Sequence, residues 1–418
     1  MINRIIAFSV KHKFIIGLLV LMMALGGIYS MRNIPIDAVP DITNNQVQVV
    51  TSSPSLAAQE VERFITSPVE MAMANIPDVT EIRSISRFGL SVVTIVFKDK
   101  VPILDARQFV DEQISMAAME IPADLGTPTM MPITTGLGEI YQYTLQVDPD
   151  YREDYDPMEL RTIQDWIVKR QLSGIPGIIE VSSFGGYLRQ YEVAVNPIDL
   201  ENFGLTISDV FNALEKNNQN SGGSYIQKGP RAFYIRTEGL IASTEDIESI
   251  VIARRGGNPV LIRNVAEVKW GYPPRYGAMT MDGKGETVGG ITLMLKGGNS
   301  SEAIQNVHER VEKVQQSLPE GVHIEPYLDR SVLVGKTIRT VSTNLIEGGL
   351  IVIFVLILLL GNLRGGLIVA SVIPLAMLFA FIFMRLFGVS ANLMSLGAID
   401  FGIVVDGAVI VVEFLPIM

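Results

Sequence analysis

Apolar residues are concentrated at the two ends of this 418-residue chain, and this distribution limits the fold more than any other feature. Residues 14–30 and 343–418 contain few charged side chains, whereas the residues between them have the composition of a soluble protein. Charged residues make up 18% of the chain, below the roughly 25% of ordinary soluble proteins. The sequence therefore predicts an α-helical membrane part and a large water-exposed part with α+β structure.

Four apolar segments approach the length of a membrane-spanning helix, which needs about 20 residues to cross about 30 Å of hydrocarbon. They are Phe14–Ser30, Leu345–Leu360, Leu367–Met384 and Asn392–Phe414. We expect a tight turn at residues 361–366 and a kink at Pro374. Residues 385–391 are predicted to form the loop before the fourth helix.

The first apolar segment has two interpretations, an uncleaved membrane helix or a secretory signal peptide. We favour the helix, because the segment is long and runs into Met31-Arg32-Asn33 without a small-residue cleavage pattern. Basic residues mark the cytoplasmic ends of membrane helices. They occur at Arg4, Lys11, Lys13 and Arg364, and Arg385 is a single opposing charge. This predicts a multi-pass protein of a bacterial inner membrane whose large middle region is periplasmic.

The middle region begins with a β-α-β-β-α pattern. A strand at Gln46–Thr51 precedes a helix at Leu56–Ala74, a hairpin follows at Glu81–Ser86 and Leu90–Phe97, and a second helix covers Asp105–Met119. The pattern then recurs, with a strand at Tyr141–Val147 and a helix at Met158–Leu172.

Two short segments repeat at the same element boundary. Ile76–Ile82 resembles Ile175–Val181, and each segment is followed by Phe-Gly, at Phe88-Gly89 and Phe184-Gly185. We interpret this as a duplication of the helix-to-strand junction.

An insertion interrupts the second copy between about Val181 and Gly271. It contains a predicted strand, a helix, a turn-rich loop, a long hairpin and a further strand pair, at Gln190–Val195, Asp199–Asn217, Asn217–Gly223, Ser224–Glu238 and Val260–Trp270. The second copy resumes with a strand at Thr287–Leu295 and an amphipathic helix at Ser301–Ser317.

Composition and motifs exclude several classes of function. The chain has no cysteine, which excludes disulfides and thiolate metal sites, and its net charge of −11 argues against a nucleic-acid partner. His12, His308 and His323 have no metal-ligand spacing. Gly335-Lys336-Thr337 resembles a P-loop ending but lacks its first glycine, and Asp400-Phe401-Gly402 lacks the other kinase motifs. Soft methionine ligands for Cu(I) are available, but core packing and helix filling are the favoured roles of Met71, Met73, Met116, Met119, Met130 and Met131.

Three acids lie within the fourth apolar segment, at Asp400, Asp406 and Glu413. A buried aspartate at the bilayer centre costs about 2.5–3.5 kcal/mol, so acids there are functional, neutral or paired. At about 100° per residue, Asp406 and Glu413 lie within about 20° of each other, and the acids are about 9–10 Å apart along the helix. We hypothesise that Asp406 is a central proton carrier, with Asp400 and Glu413 on its path. Acids that face water at a helix end are the alternative, most plausible for Glu413.

Three motifs resemble the resistance-nodulation-division transporters, specifically the heavy-metal-efflux branch of the cobalt–zinc–cadmium type. They are Pro35–Thr43, Tyr327–Ser331 and Asp400–Val409, and the resemblance extends from Met1 to Glu413. It implies a proton-driven secondary transporter, not an enzyme, that exports divalent heavy metals and needs no cofactor. Drug-exporting members carry adjacent aspartates in this helix, so the separation of Asp400 from Asp406 favours metal cargo.

The resemblance also implies a layout and partners. Residues 1–31 would hold helix 1, 32–134 a first ferredoxin-like porter subdomain, 135–180 and 272–330 a second one, 181–271 an inserted docking subdomain, and 331–418 helices 2–4. The docking hairpin would reach into the next subunit of a homotrimer, which would meet a periplasmic adaptor and an outer-membrane channel. The three acids would form the proton relay, together with a lysine in a second half of the protein.

The cargo and its ligands are less defined. Glu139 is a candidate to bind zinc or cobalt on the substrate path, although a solvent-exposed acid at a strand end is the simpler interpretation. Zinc, cobalt, cadmium or copper would be substrate. Two alternatives remain open: an exporter of drugs or other hydrophobic compounds, and a truncated inactive chain or non-transporting membrane partner.

Overall fold

A computed structural model describes residues 8–9, 11–35, 42–220, 222–236, 239–275, 277–360, 363–389, 391 and 410. Its first long helix, α1, covers Lys13–Asn33. Among these residues α1 is the one helix that is long and apolar enough to span a membrane. Apolar side chains such as Phe14 and Leu25 project outward from it, as they do on a helix that faces lipid.

The first α+β unit follows α1. Its elements are β1 (Gln46–Ser52), α2 (Ala58–Val61, a π-helical turn Glu62–Thr66, and Ser67–Met73), β2 (Val79–Arg87), β3 (Leu90–Phe97), α3 (Ile103–Glu120) and β4 (Thr129–Met130). The sheet has the order β2-β3-β1-β4, and β1 pairs antiparallel with β3 and β4. Alternate residues of the central strands, such as Val47 and Val49, are buried against the helices with Ile95 and Val110.

The second unit has the same topology. Its elements are β5 (Glu139–Val147), α4 (Pro157–Ile163, a π-helical turn Gln164–Val168, and Lys169–Leu172), β6 (Ile178–Gly185), β13 (Val288–Met294), α8 (Ser300–Gln315) and β14 (Val322–Asp329), with the intervening labels assigned below. The sheet order is β14-β5-β13-β6. Read from the β6 edge, and with the strands of each unit numbered in chain order, it is the same as the order of the first unit. The predicted second helix-strand copy is therefore present, and the chain between β6 and β13 is an insertion into it.

The two repeated helix-to-strand junctions, Ile76–Ile82 and Ile175–Val181, have the same backbone conformation at corresponding positions. Asp78 and Gly177 both have positive φ, of 59° and 86°, as do Gly89 and Gly185, at 71° and 75°. Positive φ is costly for a residue with a side chain, and Asp is among the few types that tolerate it. The carboxylate of Asp78 contacts Lys98 Nζ at 2.9 Å, and this exposed ion pair lowers the pKa of Asp78. Recurrence of the left-handed position supports the duplication inferred from the two short segments.

The insertion contains β7 (Gln190–Val195), α5 (Pro197–Phe203), α6 (Ile207–Lys216), β8 (Gly222–Lys228), β9 (Arg231–Arg236), α7 (Thr244–Glu248), β10 (Val251–Arg255), β11 (Asn258–Leu261) and β12 (Ala266–Gly271). The prediction of a strand pair at Val260–Trp270 is wrong, because β11 pairs with β10 whereas β12 pairs with β7.

The helix predicted at Asp199–Asn217 is two helices, α5 and α6. Left-handed Gly204 ends the first, and the hydroxyl of Thr206 caps the second by accepting from Asp209 N–H.

Two long helices follow β14. The first, α9, covers Arg330–Leu360 and the second, α10, covers Leu363–Leu386 with Pro374 inside it. Helix α9 begins well before the predicted Leu345, because Asp329 Oδ1 accepts a hydrogen bond from Ser331 N–H at 2.8 Å and caps it directly after the strand. Apolar stretches at Ile346–Val355 and Ser371–Leu386 lie within them. The predicted fourth span, Asn392–Phe414, falls outside the described residues apart from Ile410.

Candidate functional site

The predicted site residues fall in two groups. Asp400, Asp406 and Glu413 lie outside the part of the chain that the structure describes, so their arrangement stays a prediction. Glu139 is described and stands at the first position of β5.

Glu139 is held by its backbone and by one amide side chain. The preceding 3₁₀ turn, Gly136–Gly138, packs tightly, because a Cβ on Gly138 would lie 2.9 Å from the carbonyl oxygen of Met294. The Glu139 side chain is half-buried, and its Oε2 accepts a hydrogen bond from Gln142 Nε2 at 2.6 Å. The interpretation of Glu139 as a fully solvated strand-end acid therefore does not hold.

Tyr327 lines an open cavity of about 380 Å³ together with Phe184, Met279 and Ile291. Burial raises the pKa of Tyr327, and the negative charge of Glu139 raises it further. The cavity lining is therefore mostly aromatic and aliphatic, with a methionine as the soft residue and Arg161 and Ser183 as its polar side chains.

A buried polar network supports the cavity from the π-helical turn of α4. Ser183 Oγ donates to Asp165 Oδ1 at 2.5 Å, while Arg161 Nε lies 2.8 Å from Asp165 Oδ2. The fully buried Gln164 pairs with the Tyr143 hydroxyl at 3.0 Å, and burial raises the pKa of Tyr143 strongly. Both carboxylate oxygens of Asp165 are thus occupied, so this acid orders the cavity wall and is not a free ligand.

The sequence did not reveal this network, because each of its residues follows the polar-apolar pattern of an ordinary helix or strand. A π-helical turn has no sequence signature comparable to a cap or a tight turn, although such turns are frequent at functional sites. The first unit has a similar arrangement, in which a residue of the π-helical turn hydrogen-bonds a strand side chain. Thr66, at the end of that turn, forms a hydrogen bond with Ser91 at 2.7 Å.

Metal-ligating residues do not cluster in the described part of the chain, where no three His, Asp or Glu side chains are grouped. The predicted core role of the methionines holds for Met73, which is fully buried, and for Met130, which packs against the first core. Met71, Met116 and Met119 are exposed on helix surfaces, which agrees with helix filling, whereas the prediction is wrong for Met131, which is exposed beyond the end of β4.

An apolar spanning helix and two water-exposed α+β units of one topology define a membrane-anchored protein with a duplicated soluble part. The chain belongs to the AcrB/AcrD/AcrF family, whose profile matches residues 5–415. This is a family of inner-membrane efflux pumps.

Named relatives are cation exporters. The chain is 46% identical over 417 residues to the cation efflux system protein CzcA of Alcaligenes sp. (strain CT14), which covers 99% of this chain and 39% of the relative. It is 36% identical to the cation efflux system protein CusA of Escherichia coli (strain K12), again over 99% of this chain and 39% of the relative. The chain therefore spans about two fifths of the length of the curated relatives it matches.

A solved structure supports the same family membership. A crystal structure of a heavy metal efflux pump (crystal form II) superposes with a TM-score of 0.87 at 38% identity, covering 97% of this chain and 40% of the pump. The predicted resemblance to the heavy-metal-efflux branch is confirmed.

Proposed function

We propose that this chain forms part of a proton-driven pump that exports divalent heavy-metal cations across a bacterial inner membrane. The observation that carries the proposal is the match of almost the whole chain to cation efflux proteins, one of them named for cobalt, zinc and cadmium resistance. The three acids in an apolar segment support proton coupling, since a buried carboxyl group can take up and release protons near neutral pH.

The decisive experiment is a tolerance assay in a metal-sensitive bacterium that expresses a full-length pump containing this sequence. We expect the pump to raise tolerance to zinc, cobalt or cadmium and to leave tolerance to hydrophobic drugs unchanged. The opposite pattern would favour the second candidate, an exporter of hydrophobic compounds. The aromatic and aliphatic lining of the cavity, with Phe184 and Ile291, is the observation that favours that candidate.

We infer the layout of the pump from the two matching sheets. Their shared strand order supports ferredoxin-like porter subdomains at 32–134 and at 135–180 with 272–330. The chain between β6 and β13 supports a docking subdomain at 181–271. Helix α1 and the apolar stretches of α9 and α10 support three spans of a multi-pass inner-membrane topology, and the apolar sequence Asn392–Phe414 is the basis for the fourth.

Glu139 is our candidate ligand on the cargo path. Replacing Glu139 with Gln removes the charge but keeps the shape and the contact with Gln142. We expect the metal concentration for half-maximal transport to rise roughly fivefold, which corresponds to about 1 kcal/mol of lost attraction. Zinc uptake into inverted or reconstituted vesicles that contain the full-length pump measures this.

Glu180 provides a matched control for Glu139. It is half-buried on β6 of the same sheet, and its carboxylate likewise accepts a hydrogen bond from one polar side chain, Ser182 Oγ, at 2.7 Å. Glu180→Gln should transport like the unaltered pump. Equal effects of the two substitutions would mean that Glu139 acts only through the sheet.

We propose that the pump is a homotrimer that engages a periplasmic adaptor and an outer-membrane channel. The β8–β9 hairpin supports this, because a two-stranded hairpin has no core of its own and marginal stability in water. Its exposed apolar side chains mark an interaction surface: Tyr225, Ile226, Phe233, Tyr234 and Ile235.

Tyr234 is 84% exposed and is the most informative position on the hairpin. Tyr234→Asp should weaken self-association, because a charge would be buried when the hairpin enters a partner subunit. We expect the trimer fraction of the full-length pump in native mass spectrometry to fall at least about tenfold at limiting protein concentration. Ile198→Asp, at another exposed apolar position on α5 of the insertion, is the control and should leave the trimer intact. A trimer that tolerates Tyr234→Asp would rule out hairpin docking.

A further inference from the structure

The joint between the second α+β unit and helix α9 contains no linker. Strand β14 ends at Asp329 and α9 begins at Arg330. Because Asp329 Oδ1 accepts from Ser331 N–H at 2.8 Å, one carboxylate both ends the strand and caps a 31-residue helix. The second unit is therefore joined directly to α9 at this residue, in addition to the packing of α8 and β5 against α9.

The other oxygen of the same carboxylate faces a histidine. Asp329 Oδ2 lies 2.9 Å from Nε2 of His308, which belongs to α8. Tyr141 on β5 is the cross-strand partner of Asp329, and its ring meets the imidazole edge-on with centroids 5.6 Å apart. Side chains from one helix and two strands thus converge on the cap.

The His308 contact is close but not aligned. The Nε2 atom is shielded from solvent. Its geometry does not meet the requirements of a hydrogen bond with any described residue, including Asp329. A neutral imidazole protonated on Nδ1 offers Nε2 only as an acceptor, whereas an imidazolium carries a proton on both nitrogens. The strength of this contact therefore depends on the charge of His308.

Other ionisable or charged groups lie on the elements that pack around His308 and Asp329. Burial, with the negative charges of Asp329 and Glu325, raises the pKa of Tyr141 to about 12, so this phenol stays neutral. From α9 comes the buried guanidinium of Arg330, which is permanently charged. The end of α4, with its Lys169 and Arg170, meets α8 elsewhere, where Arg310 Nη1 donates to the carbonyl of Gln171.

We propose that His308 and Asp329 form a proton-dependent latch that sets how firmly the second α+β unit holds the start of α9. When His308 is protonated, the Nε2–Oδ2 contact becomes an ion pair that fixes the capping carboxylate. When His308 is neutral, the carboxylate is held by the cap alone and the first turn of α9 opens more often. The latch does not depend on the nature of the cargo or on transport itself.

Amide hydrogen exchange tests the latch on this chain reconstituted in lipid nanodiscs. Protection of peptides that cover residues 329–336, corrected for intrinsic exchange rates, should be roughly fivefold higher at pH 5.5 than at pH 7.5. His308→Gln should abolish that pH dependence and give the lower protection at both values. Retention of the wild-type pH dependence by His308→Gln would overturn the proposal.

Two further variants separate the latch from general instability. Asp329→Asn keeps a cap acceptor but removes the negative charge, so it should also abolish the pH dependence while the helix remains folded. His323→Gln is the matched control, because His323 Nδ1 lies 3.6 Å from Asp148 in a more exposed pair at the other end of β14. It should retain the full pH dependence. Loss of the dependence in His323→Gln as well would contradict a role specific to His308.

Discussion

Replacing Gly27 with leucine is expected to separate α1 from α10 and to destabilise the membrane part by about 3 kcal/mol, the upper range for overpacking. The backbones of the two helices touch at this point. A Cβ on Gly27 would lie 2.8 Å from the carbonyl oxygen and 2.9 Å from the Cα of Leu378, and backbone atoms cannot rotate away as a side-chain end can. Glycine permits this approach because it has no side chain.

Thermal unfolding of the chain in nanodiscs, followed by intrinsic fluorescence, measures the effect of Gly27→Leu. Gly27→Ala should produce a smaller loss in the same direction, because the alanine methyl group alone meets Leu378. Gly17→Leu is the control on the same helix, since no atom lies within 4 Å of a Cβ there. Equal melting temperatures for Gly27→Leu and Gly17→Leu would show that the α1–α10 contact contributes nothing to stability.

The sequence predicted the soluble elements well, because buried strands and amphipathic helices leave periodic patterns. Strands β1 and β3 and helix α3 begin and end within about two residues of the predicted bounds, as expected for pattern-based boundaries. The insertion was harder. Its strands β11 and β12 follow each other closely in sequence but pair with β10 and β7, and such pairing is decided by the packing of distant residues.

The start of α9 was missed for a different physical reason. Hydropathy detects the part of a helix that lies in lipid, whereas residues 330–344 mix apolar side chains such as Leu333 with charged and polar ones and form no continuous apolar run. The cap that extends the helix to Arg330 is made by Asp329, whose role is visible only once the strand end is placed. The contact of Gly27 with Leu378 is likewise a property of the folded chain.

The candidate site was predicted only in part. Glu139 was singled out at the start of the second copy, but the cavity of the same unit is lined by residues far along the chain, including Met279 and Tyr327. The β5–β14 pairing and the segment that returns from the insertion bring these residues together. A single sequence contains no record of those long-range contacts, so the cavity emerged from the structure alone.

The second large effect is expected at Asp406, where replacement with asparagine should reduce proton-coupled metal export by a full-length pump to the level of empty vesicles. Asparagine has nearly the same size as aspartate but cannot bind or release a proton. The spacing of Asp400, Asp406 and Glu413 puts the middle acid about 9–10 Å from each of the others along a helix. That distance is too long for direct transfer, so bridging water or partner side chains must connect the outer acids through Asp406.

Vesicles that report both internal pH and zinc content test the role of Asp406, because they separate loss of coupling from loss of the protein. Asp406→Glu, which keeps a carboxyl group, should retain partial export with its proton dependence. Asp400→Asn and Glu413→Gln should reduce the rate less than Asp406→Asn, since Glu413 lies near a helix end where water can replace it. Export that continues in Asp406→Asn with unchanged proton dependence would remove Asp406 from the proton path. If Asp406→Asn still carried zinc down its gradient but no longer moved protons, Asp406 would be needed for coupling and not for cargo binding.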